Sequence, residues 1–244
     1  QPGYLREPVL SQYASVRQDV VVNADHMRAE RDSGRLPRYG GPWFGGLEPD
    51  VIWVNSTRVV GDASDAQELT RAEITGRRDT ARIADYFVRN LPGFEHGRLL
   101  HTSTQIGVRE TRRLEGEYVL TSKDILERSA FDDGVALGCW PIDVHPSEGD
   151  VGHHAMYVPL PYKIPYRSFL PLEVGGLLVA GRCFSADREA LGSARVGATC
   201  AAMGHAAGVA AALCAQAGCE PREAPVERLQ SALREQGAIV DYPA

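Results

Sequence analysis

The chain has 244 residues, enough for one large domain or two small ones and for a substantial core. With 43% hydrophobic and 24% charged residues it is not a disordered chain. A formal net charge of −6, with Arg77-Arg78 and Arg112-Arg113 as the densest basic groups and acids beside both, gives no electrostatic footprint for nucleic acid.

Of the 26 basic residues only Lys123 and Lys163 are lysine, a usage that suggests a GC-rich, bacterial coding genome. The five cysteines are odd in number and form no C-x-x-C, so they read as reduced thiols of a cytoplasmic protein. No signal peptide is visible, although a start at Gln1 suggests that something upstream was removed or left out. Residues 200–217, CAAMGHAAGVAAALCAQA, are mostly apolar and include a G-x-x-x-G at Gly204 and Gly208. Alanine and glycine contribute little to insertion, and His205 and Gln216 interrupt the run, so a packed soluble helix is expected and no membrane contact.

Along the chain, RYGGPWFGGLEPD reads as a turn-rich loop, and VIWVNSTRVVG as two short strands with a turn at Asn55-Ser56. From Ser64 the spacing becomes helical, with Ile83, Phe87 and Leu91 on one face. Ser64 or Asp65 would cap this long helix, Gly76 could break it, and Pro92-Gly93 would stop it. Residues 99–120 look extended. Thr121 to Asp124 fits a capping box that opens a short helix. Residues 156–173 contain four prolines and must be edge strand and loop. Pro225 starts a last amphipathic helix, with Val226, Leu229 and Leu233 on one face and Gly237 as its stop.

The most informative stretch is LLVAGRCFSADREALGSARVGATCAAMGHAAGVAAAL, residues 177–213. Leu177 to Ala180 is an unalternating apolar run, which suits a strand buried on both faces of a parallel sheet and needs neighbours on both sides. Gly181 follows where the backbone must turn. Gly197, Ala198 and Thr199 then open a helix whose small first turn leaves N–H groups free for an anion or a carbonyl-like oxygen. Gly204, Gly208 and Ala212 would let that helix lie close to a neighbour. From these residues alone, a close-packed strand–loop–helix without ligand fits as well as a cofactor site.

That stretch resembles the C-terminal signature of FAD-dependent oxidoreductases of the two-dinucleotide-binding-domain type. Upstream, IGVRETRRLEGEYVLTSKDI, WPIDVH and VPLPYKIPYRSFLPLE extend the resemblance, in order, over about residues 50–240. In that family an N-terminal segment carries G-x-G-x-x-G and an acidic residue for the adenosine ribose, and neither motif is found here. The resemblance therefore implies an α/β fold, in the sense of an α+β mixture: a β-rich substrate-domain portion over 1–170 and the C-terminal completion of a Rossmann-like FAD domain over 171–244. The glycine-rich half would come from a second polypeptide, a cleaved piece or an unrecorded segment.

By residue, the resemblance implies that Gly181 and Arg182 lie near the FAD pyrophosphate and ribityl chain. Val196, Gly197, Ala198 and Thr199 would present backbone N–H groups to the flavin pyrimidine edge. Arg195 stands where related fumarate-reductase-type flavoproteins hold a substrate-side arginine, and it would anchor or protonate a small organic substrate. Where the family tends to have Gln, this chain has His205. Such a protein would pass a hydride between substrate and flavin. A subunit that no longer does chemistry and acts as a structural or binding partner is the alternative.

Three further groups stand out. Asp143, His145, His153 and His154 are potential metal ligands, but a Pro/Gly-rich loop fixes no geometry and no metal is assigned. His145 is kept as a flavin-side or substrate-side candidate. Arg109 could reach the site to bind an anionic or carbonyl group, or form part of a salt-bridged surface with Glu110, Arg112 and Arg113. Tyr162, Tyr166 and Arg167 precede the FAD strand, and Tyr166 could donate a proton or simply pack. The Cys183 thiol could lie by the cofactor or pack.

Overall fold

The computed structural model describes residues 24–37, 43–48, 51–144, 154–156 and 160–242. His145 and His153 lie outside the described residues. Contacts divide the chain into two compact units, residues 1–108 with 146–152, and residues 109–145 with 153–244.

In the first unit, helix α1 (Ala24–Asp32) precedes an antiparallel hairpin of β1 (Trp43–Glu48) and β2 (Val51–Asn55). Only the first of the two strands expected over 51–60 forms. Its partner is the upstream segment that reads as a loop, where Trp53 covers the glycine face: a Cβ on Gly45 would collide with the indole. Helix α2 (Ala66–Asn90) is the expected long helix. Its cap is Asp65, which accepts the N–H groups of Gln67 and Glu68 at 2.8 and 2.9 Å. It runs unbroken through Gly76. A helical glycine costs only about 1 kcal/mol, and the pairs Glu73–Arg77, Asp79–Arg82 and Asp85–Arg89 brace the turns around it. Ile83, Tyr86, Phe87 and Leu91 form a small core with Met27 and Leu36. Residues 102–106 form no strand. Arg77 donates to the Thr102 hydroxyl and to the Ser103 and Thr104 carbonyls, and Glu73 accepts the Ile106 N–H.

The second unit has the larger core, with Ile125, Tyr162, Phe169, Phe184, Leu191 and Met203 at its centre. Helix α3 (Ser122–Glu127) opens on the expected capping box: Thr121 accepts the Asp124 N–H at 3.2 Å and Asp124 accepts the Thr121 N–H at 2.9 Å. Strand β3 (Gly134–Gly138) pairs antiparallel with β6 (Tyr162–Pro165), and β4 (Ile142–Val144) with β5 (His154–Met156). Helix α4 (Arg188–Ala194) is capped by Asp187, which also accepts the Ser122 N–H and so ties α3 to α4. Helix α5 (Gly197–Ala217) and the amphipathic α6 (Val226–Glu235) complete the unit. Pro225 and Gly237, the latter at φ +80°, bound α6 as expected.

The mixed helix-and-strand class holds. The described strands form three antiparallel pairs, and no parallel sheet is present among the described residues. Leu177 to Ala180 is the main correction. The run is extended but carries no ladder, and its described backbone bond is Val179 N–H to Phe169 O at 2.9 Å. Leu177 is 45% exposed and the next three residues are half-buried. An apolar run becomes a buried strand only where other strands lie beside it.

Candidate functional site

The junction between α4 and α5 gathers the sequence-predicted residues. The chain turns at Gly181, whose φ of +77° is the left-handed conformation that glycine tolerates best. A short 3-10 turn, Gly181–Cys183, then lies against α5, and the Gly181 Cβ position is 4.0 Å from the Cys200 sulfur. Asp187 starts α4, whose last turn ends at Arg195, and Val196 is the N-cap of α5.

The first turn of α5 bears the helix's unpaired N–H groups and the positive end of its dipole. Its N-cap, Val196, offers no side-chain hydrogen bond, and no acidic residue sits in the turn. Gly197 and Ala198 are exposed and Thr199 is buried. Arg182 is exposed nearby. Burial pushes the Cys200 thiol up, and the Arg182 charge opposes that shift. The Cys200 thiol donates to the Arg195 carbonyl at 3.2 Å.

Arg195 is largely buried, its side chain 10% exposed. Its guanidinium donates to the Asp143 carbonyl at 2.6 Å and lies 3.5 Å from the carboxylate Oδ2. Arg109 donates to the same Oδ2 at 3.3 Å. One carboxylate therefore holds two arginines that are distant in sequence. Burial, reinforced by the Arg109 charge, lowers the Arg195 pKa, and Asp143 and Glu110 oppose that shift. Arginine nonetheless remains a cation at neutral pH. The Asp143 backbone packs on α4 at Gly192, where a Cβ would sit 3.1 Å from the Asp143 carbonyl. Beside Arg109, the Oε2 of Glu110 is buried with no hydrogen-bond partner among the described residues. Such an acceptor is costly unless a donor arrives.

Arg109 and Arg195 are thus brought together; Tyr166 is not. It is buried in the core, and its hydroxyl donates to the Pro221 carbonyl at 2.8 Å. Burial, with the nearby Cys214, Cys219 and Glu117, pushes its pKa up. Tyr162 is also interior, its hydroxyl 2.7 Å from that of Ser193. His205 bonds the Gln236 amide oxygen at 2.7 Å. No group of three potential metal ligands occurs among the described residues. Sequence reasoning weighed Asp143 only as a metal ligand and Glu110 only as a surface charge. The signal for Asp143 was its place in the WPIDVH block.

One face of this region stays open. The helix α5 buries Thr199, Met203, Ala206, Ala210 and Cys214 against the core. The other side, Ala201, Gly204, Gly208, Ala211 and Ala215, is exposed, and a Cβ on either glycine would meet nothing within 4 Å. The close packing expected of these glycines is therefore not made by the described residues. By length and composition α5 could cross a membrane, with a mean hydropathy of 1.5, yet its buried stripe belongs to the core of the unit.

A glycine turn thus lies beside the start of α5, with Arg195 one residue ahead of the helix cap, and a helix N-terminus of this kind suits an anionic or carbonyl-like group. The family model of the FAD dependent oxidoreductases matches residues 9–233, and the chain belongs to that family. Comparison with the curated proteins and with the solved structures gave no match. The residues present fit the flavin end of FAD: Gly197 and Ala198 at the start of α5 are small and exposed, and its first turn is free of acidic side chains.

Proposed function

We propose that this chain supplies the flavin end and the substrate-side residues of an FAD-dependent oxidoreductase that moves a hydride between a small organic substrate and flavin. The observation that carries the reading is the uncapped start of α5 directly after the buried Arg195. When bound, the flavin supplies a ring that accepts or returns the hydride.

The chain's own residues do the rest. The N–H groups of Gly197, Ala198 and Thr199 would hold the pyrimidine edge, where the helix dipole favours negative charge. Gly181 lets the backbone approach the cofactor, with Arg182 beside it. Arg195, fixed by Asp143, and Arg109 orient a carbonyl or anionic group of the substrate. Glu110, whose inner oxygen has no donor among the described residues, would take the proton from a substrate hydroxyl or amine. Tyr166 has no part in this reading, since its hydroxyl is held at Pro221.

The sequence contains no G-x-G-x-x-G, the run 177–180 carries no ladder, and the outer face of α5 is exposed. We place the glycine-rich half of the cofactor site in a second polypeptide or a further segment, which would pair with these faces in the cytoplasm. The test is anaerobic titration of the assembled protein with candidate alcohols, amines and acids. Loss of oxidised-flavin absorbance with one of them supports the reading. Bound flavin that reduces with dithionite but with no substrate class would instead mark a non-catalytic subunit.

A further inference from the structure

At the far end of α5 the helix closes on Gly218, which adopts the left-handed conformation at φ +65°. The Cys219 N–H donates to the Cys214 carbonyl at 3.1 Å, and the Gly218 N–H also returns to Cys214. A six-to-one bond of this kind brings the side chains three residues inside and just beyond the helix end together, and an apolar contact commonly fills that position. Here both residues are cysteine, so the backbone bond sets the two side chains beside each other, with the Cys214 thiol donating to the Glu220 carbonyl at 3.8 Å. Cys214 is buried at 3% exposure and Cys219 is half-exposed. The backbone bond and the left-handed glycine hold the pair in place, so a disulfide would need little chain movement.

We propose that Cys214 and Cys219 form a dithiol site of reversible oxidation that locks the C-terminal cap of α5 as a disulfide. The oxidant is a hydroperoxide. The half-exposed Cys219 thiolate attacks the peroxide oxygen, forming a sulfenic acid and releasing one water or alcohol after proton transfer. The buried Cys214 sulfur then attacks the Cys219 sulfur, forming the S–S bond and releasing a second molecule of water. Two thiols lose two electrons and two protons, and the O–O bond is reduced. Burial holds the Cys214 thiol up, above the ordinary thiol value, with the Cys219 contact adding to the shift. This favours Cys219 as the first sulfur to react.

The site lies at the opposite end of α5 from the proposed flavin contacts, so it is independent of them. The test uses the full chain with whatever partner co-purifies, treated with hydrogen peroxide, then unfolded and blocked with N-ethylmaleimide in denaturant and mapped without reduction by mass spectrometry. Tryptic cleavage at Arg195 and Arg222 isolates one peptide carrying Cys200, Cys214 and Cys219. The expected result is loss of two hydrogens from that peptide, with maleimide on Cys200 only and reversal by dithiothreitol. The Cys200→Ser variant should keep the loss. The Cys219→Ser variant should leave Cys214 fully labelled. Maleimide on both Cys214 and Cys219 after oxidation would overturn the proposal. So would overoxidation of Cys219 without pairing, or loss of Cys214 labelling in Cys219→Ser.

Discussion

Asp143 and Arg195, 52 residues apart, meet through a bond of 2.6 Å from the arginine guanidinium to the aspartate's own backbone carbonyl. The same aspartate's carboxylate accepts Arg109 at 3.3 Å. Strand β4 therefore presents one residue that positions both arginines.

Replacing that carboxylate should separate folding from function. Asp143→Asn keeps the backbone carbonyl for Arg195 and removes the negative charge between two guanidinium groups. A partly buried charged pair broken on one side costs about 1–3 kcal/mol, so the urea midpoint should fall modestly. Flavin content should be retained, while substrate-driven flavin reduction slows at least tenfold. Urea unfolding and stopped-flow absorbance measure the two effects.

The start of α5 offers a substitution with opposite effects on folding and binding. Ala198→Asp places a carboxylate in a first turn that has none. It should stabilise the helix by about 0.3–1 kcal/mol through the dipole. It should also repel negative charge on the ligand and weaken flavin retention. A rise in thermal midpoint together with loss of bound flavin is the expected pair of results. Unchanged flavin content would place the cofactor elsewhere.

The capping box of α3 should be visible in acid. Burial of Asp124 works against ionisation, but hydrogen bonds from Thr121, Ser129 and Tyr118 outweigh it and hold the carboxyl below its usual range. A depressed folded pKa contributes stability that is present above the unfolded value. That stability is lost as pH falls below about 4. Thr121→Ala should cost about 1 kcal/mol at pH 7 and flatten the loss of stability between pH 5 and pH 2, as followed by urea midpoints.

The outer face of α5 can be tested with small changes. In Gly204→Ala and Gly208→Ala the new methyl group meets no atom within 4 Å. Each should stabilise the helix by about 0.5–1 kcal/mol. If a second polypeptide packs there, the same substitutions should weaken its co-purification. Equal stabilisation with unchanged assembly would leave that face without a partner.

What could be read from sequence was mostly local. Asp65, Thr121 with Asp124, and Pro225 mark helix starts because caps act over three or four residues, and the structure keeps all three. The strand β1 was hidden because WFGG carries too many glycines to read as a strand, and only pairing with Val51–Asn55 makes it one. Leu177 to Ala180 misled for a related reason: its composition describes an environment that these residues do not supply. The meeting of Arg109 with Arg195 at Asp143 follows from β4 packing on α4, which leaves no periodic trace in the sequence. Glu110 was legible as a charge but not as a buried acceptor, since exposure is a tertiary property.

The most direct measurement is the visible absorption spectrum of the protein purified with any partner that supplies the proposed glycine-rich half, compared with the same preparation carrying Ala198→Asp. The account predicts oxidised-flavin bands in the first and their loss in the second, with both preparations folded. A colourless wild-type assembly that takes up no added FAD would contradict it.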